Sequence, residues 1–241
     1  MTANNPAVPQ ALIASVEEVK ALFNPSIYAI QVFPEPDRPK HVGTAFAIEY
    51  KGRRFLVTAA HVVDSIQDGT LTVLPHPLQD MPARGPIVLE QFVVTSSFKD
   101  RAADIFDFAW CELEGEDTAR IVCIPQHYLE NVASPTTGTR LYTLIGFPAS
   151  KNKPPRPGVR AARKITMARG PYTNAEDDDS HFVSRGMSPS THFAVALQKH
   201  SIEDDGTVQN TIDHKGFSGG PAIYTGRNPT GSRTLPLAFQ E

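Results

Sequence analysis

Gly216-Phe217-Ser218-Gly219-Gly220-Pro221 is the stretch whose reading decides the fold. A serine set among glycines lies where the backbone turns tightly and where another group can approach closely. Glycine has no Cβ to obstruct that approach, and it tolerates positive φ. Such a serine has the setting of a nucleophile, but only if a base and an acid elsewhere in the chain are placed to activate it.

Chain order says where to look. The Gly-x-Ser-x-Gly pattern occurs in one hydrolase architecture whose acid and histidine follow the serine, and in another whose histidine and aspartate precede it. No histidine follows His214 in this chain, so the second order applies. Upstream, Thr58-Ala59-Ala60-His61 closes the apolar run Phe55-Leu56-Val57. Small residues before His61 let one edge of the ring lie against protein while the other faces a cleft. A histidine there has the pKa range a general base needs. Asp107-Phe108-Ala109-Trp110 opens a second apolar run, and an acid at its head is shielded enough to orient His61 through Nδ1–H. Asp104 is the competing acid; Asp107 is preferred because it abuts the buried run directly. Ser218 is the expected nucleophile, and the backbone N–H groups of Gly216 and Ser218 the expected oxyanion donors, each worth about 2.7–4 kcal/mol in the transition state.

Taken together, these three motifs resemble the trypsin-like serine peptidases, most closely their bacterial branch. Val42-Gly43-Thr44-Ala45-Phe46 resembles the family's glycine-containing strand before the histidine, and Ile145-Gly146-Phe147-Pro148 its Gly-x-Pro turn. The resemblance covers about residues 27–239. It implies an all-β fold of two six-stranded antiparallel barrels with the site between them. It also implies cofactor-free endopeptidase chemistry on a protein or peptide through an acyl-enzyme. Three departures follow. Phe217 replaces the aspartate that pairs with a new N-terminus in zymogen-activated enzymes, so that switch is not expected. Ile212, followed by Asp213, occupies the floor of the expected substrate pocket, which Phe217 adjoins. Only 23 residues follow Ser218 (241 − 218), so the second barrel is expected to be incomplete or covered by another segment.

The rest of the chain agrees with a β-rich reading. Its 241 residues suit one two-barrel unit, and 21 prolines with 16 glycines predict many turns. Residues 1–25 form an N-terminal segment whose Leu12, Ile13, Val16, Val19 and Leu22 predict an amphipathic helix over 9–23, stopped by Pro25. Residues 26–124 form the first expected barrel, with strands at 27–33, 42–50, 54–60, 71–74, 87–96 and 106–113 and a hairpin at Lys51-Gly52. Residues 125–241 form the second, with strands at 139–146, 162–168, 192–198, 221–225 and 235–239.

A net charge of −3 with no basic run argues against a nucleic-acid partner. No apolar stretch approaches a membrane span, and no signal peptide is visible, which predicts a cytoplasmic protein. Cys111 and Cys123 do not make a disulfide framework and are read as buried thiols. The histidines form no ligand set with Cys or acids, so no metal is expected. His214 is read as a solvent-facing loop residue. The acidic run Glu176-Asp177-Asp178-Asp179 lacks the spacing of a calcium loop and is read as solvated surface.

Overall fold

The computed structural model describes residues 10–35, 38–74, 85–129, 141–153, 165–173, 179–188, 192, 195, 200–202, 208–211, 214–224 and 237–238. It is mostly β. Helix α1 (Gln10–Phe23) is followed by β1 (Ile27–Glu35), β2 (Arg38–Tyr50) and β3 (Arg53–Ala59), then the single turn α2 (Ala60–Val63). Four short strands come next: β4 (Leu71–Val73), β5 (Ile87–Val88), β6 (Val93–Val94) and β7 (Phe108–Glu112). The second half holds β8 (Leu141–Gly146), β9 (Ala168–Thr173), α3 (Asp179–Ser184), β10 (His200–Ile202), β11 (Val208–Asn210), β12 (Ala222–Tyr224) and β13 (Leu237–Ala238).

The first seven strands form one antiparallel sheet in the order β5-β4-β1-β2-β3-β7-β6. Its two outermost strands, β5 and β6, are joined only through Leu89–Phe92. Laid flat, a sheet of that many strands would hold its outer members roughly 29 Å apart. The chain from Val88 to Val93 reaches at most about 18 Å. The sheet must therefore curl back on itself, and it forms a half-barrel. Register shifts in the β1–β2 ladder, at Ile30/Gln31 and between Val32 and Glu35, supply local bends. Lys51 (φ 51°) and Gly52 (φ 73°) make the tight β2–β3 hairpin, closing on the Tyr50–Arg53 pair.

Strand alternation explains how this sheet is buried on both sides. Tyr28, Ile30, Ala45, Ala47 and Leu56 point into the hollow of the half-barrel, where they meet Val62, Leu71, Val73, Ile87 and Cys111. Ile27, Ala29, Phe46 and Val57 point the other way. They pack with Ile145, Phe147 and Ile223 of the second half and with Val19 and Phe23 of α1. Each fully buried large side chain contributes about 1.5–3 kcal/mol. The helix therefore lies in the seam between the two halves. The second half supplies a four-stranded antiparallel sheet, β13-β12-β8-β9, and β10 and β11 pair separately.

Several strand boundaries differ from the sequence reading. The run 87–96 is two strands, because Gln91 at φ 57° breaks it. Residues 165–167 carry no strand; β9 begins at Ala168 and includes Gly170 and Pro171, a pair that argues against a strand in isolation. Pairing with β8 overrides that local signal, and β9 sits at the sheet edge where proline's missing N–H costs least. His192 is not in a strand, and β10 starts at His200; most of the run read as 192–198 lies outside the described residues. So do residues 134–138, 154–158 and 174–178. Among the described residues, no helix is long and apolar enough to cross a membrane.

Candidate active site

β3 ends at Ala59 and the chain turns at once into α2, which carries His61 at the rim of the first sheet. β7 runs antiparallel beside β3, with Ala59 opposite Phe108, so Asp107 arrives next to that same turn. Three bonds lock the two together. Ala60 N donates to the Asp107 carbonyl at 2.9 Å, and His61 N donates to Asp107 Oδ1 at 2.8 Å. Asp107 Oδ2 makes a very short contact with His61 Nδ1. Asp107 holds this position at φ 39°, a conformation that non-glycine residues seldom adopt and that costs about 1–3 kcal/mol. The carboxylate side chain is 11% exposed and the imidazole 44%, so the acid is enclosed while the base faces outward.

Asp104 does different work. Thr95 and Ser96 hydroxyls donate to its carboxylate at 2.5 and 2.8 Å, and Phe106 N donates at 3.1 Å. Burial works to raise its pKa, but these donors outweigh it and hold the carboxyl down at about 2. Arg101 spans from this loop to Asp64 at the end of α2 with a bidentate pair, both contacts 2.9 Å. The loop leading into Asp107 is thus tied to the turn carrying His61.

A stability prediction follows from Asp104. Its folded pKa lies below the ordinary value of 3.8, so its stabilisation is fully present above about pH 4 and is lost as pH falls through about 2. Asp104→Asn should lower unfolding free energy by roughly 2 kcal/mol at pH 7, with the difference from wild type fading between pH 4 and pH 2. Urea midpoints across that range check it; equal midpoints at pH 7 would rule it out.

Ser218 comes from the second half. The turn Gly216–Gly220 lies directly against the end of β3 and the middle of β2. At Gly219 (φ 81°) a Cβ would sit 2.2 Å from Thr58 Oγ1 and 2.6 Å from Ala59 N. Only glycine lets the serine turn press this close to the strand that delivers His61. Thr44 N donates to the Ser218 carbonyl at 2.9 Å. Among the described residues, no hydrogen bond joins Ser218 Oγ to His61, and neither Ser218 N nor Gly216 N has an internal acceptor. Their orientation is nonetheless determined. A trans peptide points its C=O and N–H in opposite directions. The Lys215 carbonyl is held by Ala149 N at 2.6 Å and the Phe217 carbonyl by Gly220 N at 2.7 Å, which turns the next N–H of each plane away from those anchors.

The structure therefore brings Asp107 to His61, and seats Ser218 and Gly216 against the same sheet end. Ile212 and Asp213 lie outside the described residues. Phe217 is 3% exposed; its ring packs on Gly146 and lies 5.3 Å from the His214 ring, so it faces protein. His214 is half-buried, unlike its sequence reading, with Nε2 2.5 Å from the Tyr172 hydroxyl. Cys111 and Cys123 are free thiols whose pKa burial pushes up to about 12 and about 11. Among the described residues, no group of three or more His, Cys, Asp or Glu side chains is placed to hold a metal.

Two contributors escaped the sequence reading. His41 places Nε2 2.6 Å from the Phe147 carbonyl and Nδ1 3.2 Å from that of Ile30. Thr44 is fully buried and touches the serine turn and the second sheet together. Both lie on β2 within or beside Val42-Gly43-Thr44, where only the glycine stands out by type. No family model matches the chain, and a search of curated proteins finds no match.

Proposed function

We propose that this chain is a serine endopeptidase of the trypsin-like kind, built on two barrels of six strands, with His61, Asp107 and Ser218 as its triad. What supports the reading most is the Asp107 carboxylate, which takes both the backbone N–H and the ring of His61 at the end of β3. An enclosed carboxylate on Nδ1 leaves Nε2 as the basic nitrogen and stabilises the imidazolium that forms on proton uptake.

The chemistry runs in two halves. Ser218 Oγ attacks the carbonyl carbon of the scissile peptide as its proton passes to His61 Nε2. The oxygen of that carbonyl gains the negative charge and is met by the N–H groups of Gly216 and Ser218. Collapse breaks the C–N bond, and the departing amine takes the proton from Nε2, leaving an ester on Ser218. Water then repeats the sequence, giving its proton to Nε2 and releasing the acid with Ser218 Oγ reprotonated. No cofactor is required.

A second reading has one observation in its favour. The absence of a Ser218–His61 hydrogen bond among the described residues also suits an impaired triad on a peptide- or partner-binding module. Hydrogen bonds of this kind are often long before substrate arrives, so the endopeptidase reading is preferred. A fluorophosphonate separates the two. Incubated with the native protein and followed by peptide mass spectrometry, it should leave one adduct per chain, on Ser218. An unmodified Ser218 after prolonged exposure would defeat the endopeptidase reading and leave the binding module.

A further inference from the structure

β2 pairs with β3 only as far as Ala45–Thr58. Beyond that pair β3 ends at Ala59 and the chain turns into α2, and the serine turn takes its place as the neighbour of β2. Thr44 is where this happens. Its N–H donates to the Ser218 carbonyl at 2.9 Å. Its hydroxyl donates to the Gly216 carbonyl at 2.8 Å and accepts from Phe147 N at 3.0 Å. Its own carbonyl accepts from Thr58 Oγ1 at 2.7 Å, within the segment that carries His61. Thr44 is fully buried. A hydroxyl has one proton to give, and this one is given to Gly216 O.

We infer that Thr44 is the positioning residue for the oxyanion-binding turn, clamping it at two carbonyls, Gly216 O and Ser218 O, while tying it to the Gly146-Phe147 corner of the second sheet. The inference rests on the endopeptidase reading of Ser218, which it deepens. Four consecutive carbonyls of the turn have partners: Lys215 with Ala149 N, Gly216 with Thr44 Oγ1, Phe217 with Gly220 N, and Ser218 with Thr44 N. The first and third of these bonds are made by the turn's own half of the molecule. The second and fourth both come from Thr44, so one residue of the first sheet sets where the turn sits relative to His61. Gly216 itself is at φ 95°, a conformation with easy alternatives for glycine. Without the hydroxyl, the Gly216 carbonyl loses its donor, and the Gly216–Phe217 peptide is left with only Phe217 N on the His214 carbonyl, at 2.8 Å, to select among them.

The two ends of Thr44 can be separated by substitution. Thr44→Val keeps the shape and the backbone bond but removes the hydroxyl; Thr44→Ser keeps the hydroxyl. Thr44→Val should slow phosphonylation of Ser218 and lower kcat on a peptide ester by about 100-fold, the scale of a misplacement near 1 Å, with KM changed less than about threefold. Thr44→Ser should recover most of that loss. Amide hydrogen exchange supplies a readout independent of turnover, in which Phe147 N should lose protection in Thr44→Val and keep it in Thr44→Ser. A wild-type chain that is not labelled at Ser218 sinks the endopeptidase reading. A labelled wild type with a folded Thr44→Val of equal kcat, labelling rate and Phe147 protection sinks the role of Thr44 alone. Should Thr44→Val not fold, Thr44→Ser decides: a variant no faster than Thr44→Ala would overturn the clamp, and near-wild-type rates for Ser with loss for Ala would uphold it.

Discussion

Ser218→Ala is expected to lower peptide hydrolysis by about 10⁶-fold, to abolish fluorophosphonate labelling, and to leave the fold unchanged. The size follows from the role. Removing the nucleophile of a triad costs about as much as removing all its members, because the base and acid have nothing left to activate. The residual rate should not be zero, since peptide binding and the Gly216 and Ser218 N–H groups remain. The fold should survive because the contacts that seat the turn do not use the Ser218 side chain: Thr44 N to the Ser218 carbonyl, Thr44 Oγ1 to the Gly216 carbonyl, and Gly220 N to the Phe217 carbonyl. Among the described residues, no hydrogen bond that holds the turn uses the Ser218 hydroxyl. Steady-state hydrolysis of a peptide ester, with circular dichroism as the control on folding, tests it. A folded Ser218→Ala protein within tenfold of wild type would remove Ser218 from the mechanism.

Asp107→Asn should cost about 10⁴-fold in kcat while leaving the protein folded. Asparagine fits the left-handed backbone at residue 107 better than most residues do, and its Oδ1 can still accept from His61 N. The other terminus of the side chain changes sign. Where Asp107 Oδ2 presents lone pairs to His61 Nδ1, the amide presents N–H. That favours the tautomer with its proton on Nε2, the nitrogen that must be free to take a proton from Ser218. It also removes the negative charge that supports the imidazolium. Asp104→Asn serves as the contrast, because Asp104 holds Thr95 and Ser96 rather than the ring. It should lose stability and retain catalysis, the reverse of Asp107→Asn. Equal activity losses in the two variants would mean that the carboxylates had been assigned the wrong roles.

The hexapeptide around Ser218 and the segments ending in His61 and beginning at Asp107 were legible because each is marked by composition: glycines, small residues before a histidine, an acid heading an apolar run. The strands β1 to β3 were legible from their apolar content, and the Lys51-Gly52 hairpin from its turn residues. What could not be read is what depends on register between distant strands. Nothing in Val42-Gly43-Thr44 distinguishes a threonine that will pin two halves together from one that merely lines a strand. Its role exists only because the β2–β3 ladder stops at the adjacent residue, Ala45. β9 was misplaced for a similar reason, since Arg169-Gly170-Pro171 is held extended by β8 and not by its own preferences. His214 looked solvent-facing because its partner, Tyr172, is remote in the chain.

The seam that holds α1 has a consequence for how the protein comes into being. Val19 and Phe23 share one apolar cluster with Ile145 and Ile223, so the helix must await residues made much later in the chain. Pairings so remote along the chain carry a large loop-closure cost, and topologies rich in them fold slowly. During synthesis the half-barrel can assemble first, with Phe46 and Val57 uncovered on its outer surface. That surface stays uncovered until Ile223 leaves the ribosome.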